Sequence, residues 1–152
     1  LMGKYVNEPD AQYVITELNR RRSFEYNGIK NHEYYFADLC GEYIPLDSDS
    51  ELGKKIIETW GSFDGWRAEF EKIAMTRGIG WAILSYDFES GILQNGWVDE
   101  QHLGQLNSTR YIIGIDIWEH SYVADYQPSG KKQYIADFLD QVSWGNAMTR
   151  FK

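Results

Sequence analysis

Apolar residues recur every three to four positions through most of the first half of the chain, which is the period of an amphipathic helix. Gly61 interrupts this pattern and Ser62 restarts it, as expected where one helix ends and the next one is capped. The pattern predicts four helices, over residues 11–22, 24–36, 52–60 and 62–75.

The second half of the chain begins with short runs rich in β-branched and aromatic residues, which favour strands. The runs predict three strands, over residues 81–86, 92–98 and 111–117. Helical spacing returns over residues 130–151 and predicts one packed terminal helix. The pattern as a whole predicts an α+β fold, with a helical N-terminal segment packed on a three-stranded antiparallel sheet flanked by helices.

Composition narrows the class of protein. Hydrophobic residues make up 43% and aromatic residues 16% of the 152 positions, which is enough for one dense core. The net charge of −8 argues against nucleic acid or an acidic membrane as the main partner. Cys40 is the single cysteine, so a reducing cytoplasm is the expected compartment, and no apolar run approaches the length of a membrane span. The composition predicts a soluble cytoplasmic protein.

A carboxylate and an imidazole lie four residues apart where the last predicted strand ends. Asp116 would leave the strand end and His120 would lie one turn into a helix that starts at Trp118, so both side chains can point at one centre. Oxygen and imidazole nitrogen at this spacing suit a first-row metal such as iron, manganese or zinc. The alternative is an aspartate that caps the helix beside a core histidine.

A second histidine lies on the predicted helix over residues 24–36. His32 follows Gly28 by four residues and therefore shares its face. Glycine inside a helix costs about 1 kcal/mol relative to alanine, which suggests that another group approaches closely at Gly28. His32 is either a core histidine or a further metal ligand. A zinc hydrolase is not supported, because the chain has no His-Glu-x-x-His pattern.

Several ordered motifs resemble those of the iron/manganese superoxide dismutases. Asp-Ile-Trp-Glu-His-Ser-Tyr at 116–122, followed by Asp125, Tyr126, Tyr134 and Trp144, is similar to the C-terminal signature of that family. Upstream, the sequences at 60–63, 77–82 and 24–32 resemble its Phe-Gly-Ser-Phe, Gly-x-Gly-Trp-Ala and Asn-Gly…Asn-His elements. The resemblance covers residues 20–152, approximately.

The resemblance implies a dismutase that converts superoxide to oxygen and hydrogen peroxide at one manganese or iron ion per chain, in a homodimer. His32, Asp116 and His120 match three of the family's four protein ligands. Further roles follow by position: Gln101 (or His102, one residue along) for a hydrogen bond to metal-bound solvent, Gly28 as the small residue paired with it, Trp81 and Trp118 as walls of the site, Tyr5 as the active-site tyrosine, and Glu119 as the residue that reaches the partner subunit's ligand histidine.

Departures from the family pattern leave alternatives open. The family's first ligand, a histidine in its N-terminal helix, has no counterpart among the three histidines of this sequence. In the preferred alignment residues 1–6 are the tail of that helix and Tyr5 is the active-site tyrosine, whereas a second alignment gives that role to Tyr13. The chain begins with Leu1, so it is expected to be a fragment, a processed form or a tag remnant. Val123 replaces a tyrosine of the dimer bridge, and Lys131 and Lys132 replace Arg-Pro.

The resemblance also predicts a division of the chain into residues 1–40, a remnant of the N-terminal helical hairpin, and residues 41–152, a C-terminal dismutase domain. Two functions are consistent with the sequence. The first is a superoxide dismutase; the second is a degenerate relative that serves as a structural or interaction module without redox activity. Because a net charge of −8 repels anionic superoxide, the first predicts a local basic funnel.

Overall fold

The computed structural model describes residue 3 and residues 11–152. The helices are α1 Gln12–Leu39, α2 Glu51–Trp60, α3 Phe63–Ala74, α4 Val123–Tyr126, α5 Lys131–Gln141 and α6 Gly145–Phe151, and the strands are β1 Gly80–Asp87, β2 Ile92–Asp99 and β3 Thr109–Asp116. Short 3-10 turns at Glu119–Ser121 and Pro128–Gly130 connect β3, α4 and α5.

Helix α1 is continuous over 28 residues, so the prediction of two separate helices there is wrong. The basic stretch at 20–22 does not end a helix, because no proline or glycine occurs between it and Gly28 and each residue there tolerates helical geometry. The continuity has a functional consequence, since it carries His32 and Tyr35 on one rigid element.

Helices α2 and α3 form where the sequence predicts them. Ser50 and Ser62 cap them, since each hydroxyl accepts a hydrogen bond of 3.0 Å from the backbone N–H three residues on. Gly61 ends α2 with a φ of 80°, a left-handed conformation that glycine adopts without strain. One face of α3 is fully buried, through Trp66, Phe70 and Ala74.

The three strands form one antiparallel sheet, as predicted, and their order in the sheet is β2–β1–β3. Trp81 on β1 lies opposite Val98 on β2 and opposite Asp116 on β3. Helices α1 and α6 contact β3, and α3 contacts β1 and β2, so the core lies between the sheet and these helices. The predicted α+β fold class is therefore confirmed.

The C-terminal stretch contains two helices, and the prediction of a single helix over residues 130–151 is wrong. The helix stops before Val142 because the next backbone groups bind elsewhere. Ser143 N–H donates to the Asp38 carbonyl at 2.8 Å, and Trp144 N–H donates to the Ile44 carbonyl at 2.7 Å. These bonds attach the break to the last turn of α1 and to the segment that follows it.

The prediction of a helix that begins at Trp118 is also wrong. The chain forms a 3-10 turn over Glu119–Ser121 and then the four-residue α4. Tyr122 between them has φ −139°, outside helical geometry, so a continuous helix cannot form there. Within the described part of the chain, no helix is long and apolar enough to span a membrane. The division at residues 40 and 41 stays a prediction.

Candidate metal centre

Three side chains from separate segments meet at the end of β3. His32 comes from α1, Asp116 is the last residue of β3, and His120 lies in the 3-10 turn that follows. Asp116 Oδ2 is 3.3 Å from His32 Nε2 and 3.2 Å from His120 Nε2. Over residues 11–152, this is the one group of three or more His, Cys, Asp or Glu side chains whose ligand atoms converge, all within 4.8 Å of one another.

These separations fit a shared metal ion. Metal–ligand bonds of about 2.1 Å place adjacent ligand atoms about 3.0–3.4 Å apart in octahedral or tetrahedral geometry. Both measured nitrogen–oxygen distances, 3.2 and 3.3 Å, lie in that range. Two imidazoles and a carboxylate form a borderline donor set that suits manganese, iron or zinc.

The Asp116 side chain is buried and is held by a backbone N–H group. Its side chain is only 2% exposed, and its Oδ1 accepts a hydrogen bond of 2.9 Å from the Trp118 backbone N–H. Oδ1 therefore caps the turn that follows β3, which is the role that the alternative interpretation of the sequence gave to Asp116. Oδ2 faces both histidines. Burial raises the pKa of Asp116, and the Trp118 N–H and the two imidazoles oppose that rise. A bound cation would favour the ionised form further.

The two histidines are oriented differently. His32 Nδ1 donates to the Gly28 carbonyl at 2.6 Å, which leaves the lone pair of Nε2 directed toward Asp116. The edge of the Trp81 ring packs against His32, with ring centroids 5.0 Å apart. His120 stacks on Trp118 at 5.8 Å and is 58% exposed, so the site opens on the His120 side.

Gln101 is brought to this site by the loop between β2 and β3. Trp81 Nε1–H donates to its Oε1 at 2.8 Å, and Asn31 donates to its backbone carbonyl at 3.3 Å. A Cβ added at Gly28 would lie 3.3 Å from both Cγ and Cδ of Gln101. The close approach expected at Gly28 is therefore made by Gln101. In the described part of the chain the Gln101 amide nitrogen has no hydrogen-bond partner.

A cavity of about 560 Å³ lies beside the histidine of α1. Gln101 lines this cavity and His102 does not. This favours Gln101 over His102 as the residue that would donate a hydrogen bond to metal-bound solvent. His102 instead packs against Phe24 at 5.8 Å, and its buried Nδ1 has no partner within residues 11–152. The lining contains no lysine or arginine but two glutamates, Glu25 and Glu33, so the expected basic funnel is not found at this cavity.

Three further residues are predicted at the site: Trp118, Glu119 and Tyr5. Trp118 donates from Nε1 to the Glu100 carbonyl at 3.0 Å and stacks on His120, and its role as a wall of the site stays a prediction. Glu119 is exposed on the same turn, where a neighbouring molecule could reach it. Tyr5 lies outside the described residues.

Sequence reasoning missed two polar contacts to the Asp116 backbone. Tyr134 OH donates to the Asp116 carbonyl at 2.8 Å, and Ser121 Oγ donates to the same oxygen at 2.9 Å. Tyr35 OH lies 3.0 Å from Tyr134 OH and completes the group. In the sequence, the one sign that Tyr35 lies near the site is that it follows His32 by about one helical turn and therefore shares its face of the helix.

The fold and this donor set define an α+β protein with a His–Asp–His ligand group. Residues 48–150 match the C-terminal domain of iron/manganese superoxide dismutases. The chain belongs to the iron/manganese superoxide dismutase family.

Relatives carry both metals in their names. The chain is 36% identical over 133 residues to superoxide dismutase [Mn] 2 of Haloferax volcanii, covering 86% of this chain and 65% of the relative. It is 45% identical over 138 residues to superoxide dismutase [Mn] 1 of Haloferax mediterranei, covering 82% and 94%. It is 32% identical over 141 residues to superoxide dismutase [Fe] of Cupriavidus metallidurans, covering 91% and 69%. The chain thus spans less than two thirds of the length of several relatives, such as the Haloferax volcanii protein.

Proposed function

We propose that this chain is a superoxide dismutase that holds one manganese or iron ion through His32, Asp116 and His120. The observation that carries the proposal is the position of Asp116 Oδ2 between two imidazole Nε2 atoms, 3.3 and 3.2 Å away. The family membership supports the same conclusion.

Such an ion, if bound, would supply one-electron redox chemistry between its 2+ and 3+ states, which the alternate oxidation and reduction of superoxide requires. The protein's part is to hold and tune the ion. The Asp116 carboxylate supplies one negative charge in a buried setting, and the His32 Nδ1–H bond to Gly28 fixes the imidazole that faces it.

Gln101 is the residue proposed to control solvent at the site. Because Trp81 occupies its Oε1, the amide nitrogen is the group left to donate a hydrogen bond to a bound hydroxide. Trp81 is fully buried, so this arrangement is shielded from bulk water and its electrostatic effect is strong. Trp118 stacks on the His120 ring, and the site stays open to solvent on that side.

The homodimer and the cytoplasmic location are parts of the same proposal. Glu119 is exposed one residue before His120, a place from which its carboxylate can reach a ligand histidine of a partner subunit. The single cysteine of the sequence is the support for a reducing compartment.

The second candidate function is a structural or interaction module without redox activity. It is favoured by the count of three histidines in the sequence, of which His102 packs on Phe24 away from the ligand group. In that case the ligand group would remain as a structural contact in which Asp116 Oδ2 accepts a hydrogen bond from His120 Nε2, while His32 donates to the Gly28 carbonyl.

The rate of superoxide loss tests the proposal. The full chain is loaded with manganese or with iron, freed of unbound metal, and mixed with superoxide in a stopped-flow instrument. We expect superoxide to disappear faster than with the same concentration of free ion, and His120→Gln loaded in the same way to lose that advantage. A wild-type chain that holds metal and yet gives only the free-ion rate would overturn the proposal and favour the interaction module.

A further inference from the structure

Two buried phenols connect the helix that carries His32 with the strand end that carries Asp116. Tyr35 lies three residues after His32 on α1. Its hydroxyl is 3.0 Å from that of Tyr134 on α5, and Tyr134 OH donates to the Asp116 carbonyl at 2.8 Å. A continuous hydrogen-bonded path therefore runs from one ligand-bearing segment to the other.

The direction of this path follows from the proton count. A phenol has one proton, and that of Tyr134 is used on the Asp116 carbonyl, so Tyr134 must accept its second bond from Tyr35. A phenol ordinarily loses its proton only near pH 10, so the hydroxyls of Tyr35 and Tyr134 can both donate at neutral pH. A donor bond received by Tyr134 strengthens the bond that it gives.

The two rings are fixed by their neighbours. Tyr35 stacks nearly parallel on Phe138, with centroids 5.6 Å apart and an angle of 9°, and it meets Trp81 edge-on at 6.0 Å. Tyr122 stacks on Tyr134 at 5.3 Å. The bond between the hydroxyls therefore joins two well-packed rings and links α1, through Tyr134, to the end of β3.

We propose that Tyr35 is a positioning residue for the metal centre, acting through Tyr134 on the backbone of Asp116. The path holds the Asp116 carboxylate where its Oδ2 and the Nε2 of His32 can bind one ion together. The inference rests on the proposed function, because it assigns Tyr35 a role toward the metal that His32, Asp116 and His120 are proposed to hold.

A purely structural role for Tyr35 makes a different prediction. Loss of a structural hydrogen bond lowers the free energy of unfolding and leaves the Mn²⁺ affinity and the spectrum of the folded chain unchanged. A positioning role makes the effects of Tyr35→Phe and Tyr134→Phe on metal binding non-additive, because the hydroxyl that Tyr35→Phe removes is bonded to Tyr134 and not to Asp116.

The test compares the full-length wild type with Tyr35→Phe, Tyr134→Phe and the double variant. Tyr35→Phe keeps the stacked ring and leaves the Tyr134 bond to Asp116 in place, so this variant is expected to fold. Tyr34→Phe is the matched control: it removes the neighbouring phenol hydroxyl of the same helix, from a ring that packs on Tyr111 instead. Mn²⁺ affinity is measured by titration with electron paramagnetic resonance detection.

We expect Tyr35→Phe to weaken Mn²⁺ binding by about tenfold, as removal of outer-sphere partners of metal ligands commonly does. Tyr134→Phe should weaken it at least as much, and the double variant should be no weaker than Tyr134→Phe alone. The zero-field splitting of the bound Mn²⁺ should change in Tyr35→Phe and stay as in the wild type in Tyr34→Phe.

The outcomes separate this inference from the proposed function. Wild-type chain that binds Mn²⁺, with Tyr35→Phe equal to it in affinity and in spectrum, would overturn the role of Tyr35 and leave the dismutase proposal standing. Effects of the two substitutions that simply add would overturn the path through Tyr134. Absence of Mn²⁺ binding by the wild type would overturn both proposals together.

Discussion

Trp81 and Asp116 lie directly opposite each other across the β1–β3 pair. From that position the Trp81 indole also donates to Gln101 Oε1 at 2.8 Å and packs its edge against His32. One buried aromatic residue therefore borders two of the ligand side chains and fixes the amide beside them. Through Trp81, the position of the Gln101 side chain therefore depends on how β1 pairs with β3.

Trp81→Phe tests this coupling. The substitution removes the indole donor and leaves the buried Gln101 oxygen unpaired, which costs about 1–3 kcal/mol of unfolding free energy. Because Gln101 is then free to turn, we expect superoxide consumption by the manganese-loaded chain to fall by about tenfold. Stopped-flow kinetics and denaturant unfolding measure the two effects.

Trp66→Phe is the control for that experiment. Trp66 is also fully buried and its Nε1–H donates to Asn95 Oδ1 at 2.9 Å, so the same donor and volume are lost away from the metal centre. Its stability should fall while activity per folded chain stays at the wild-type level. Equal losses of activity in Trp66→Phe and Trp81→Phe would contradict the coupling.

Gly28→Ala tests the contact between α1 and Gln101. An added Cβ would lie 3.3 Å from two carbons of the Gln101 side chain, which is held by Trp81 and must shift by a few tenths of an ångström. The gain in helix propensity, about 1 kcal/mol, offsets this crowding, so stability should change little. Activity should fall by about tenfold. Gly96→Ala, where the Cβ meets nothing within 4 Å, should keep full activity.

Asp116→Asn tests the ligand role of the buried carboxylate. The amide keeps the size of the side chain but loses the charge, so we expect the purified protein to retain no manganese or iron after desalting. Asp38→Asn is the control, because Asp38 is equally buried but pairs with Arg150. That variant should lose about 3–5 kcal/mol of stability and still bind metal in its folded fraction. Metal retained by Asp116→Asn would argue against the assigned ligand.

Alkaline pH should destabilise the fold through buried tyrosines. Burial raises the pKa of Tyr35, Tyr111 and Tyr134 above the usual value of about 10. Because the native chain holds these protons more tightly than the unfolded chain, their contribution to stability is complete below about pH 9 and is lost as the pH rises beyond about 10. Denaturant unfolding across that range, followed by tyrosine absorbance, measures it. Ionisation of all three in a chain of undiminished stability would contradict the assignment.

The sequence predicts the two ligands of the strand end because their geometry is local. Asp116 and His120 are four residues apart at a strand terminus, so short-range spacing alone brings them to one centre. His32 lies far away in the sequence, and periodicity placed it only on the face of Gly28. The resemblance to a family, and then the fold, were needed to bring it to Asp116.

Errors in the predicted elements have tertiary causes. The break before Ser143 depends on the carbonyls of Asp38 and Ile44, which lie about a hundred residues earlier and leave no mark on the local pattern. The path from Tyr35 to Tyr134 was missed for the same reason, since the two tyrosines are 99 positions apart. Local propensity cannot report such partners.

Metal content of the loaded and desalted wild-type chain tests the central claim most directly. Elemental analysis by mass spectrometry counts manganese and iron per chain without depending on turnover. We expect about one manganese or iron ion per chain, because three converged ligands hold it against desalting. A wild-type chain that retains neither metal would contradict the assignment of His32, Asp116 and His120 as the ligands of a redox centre.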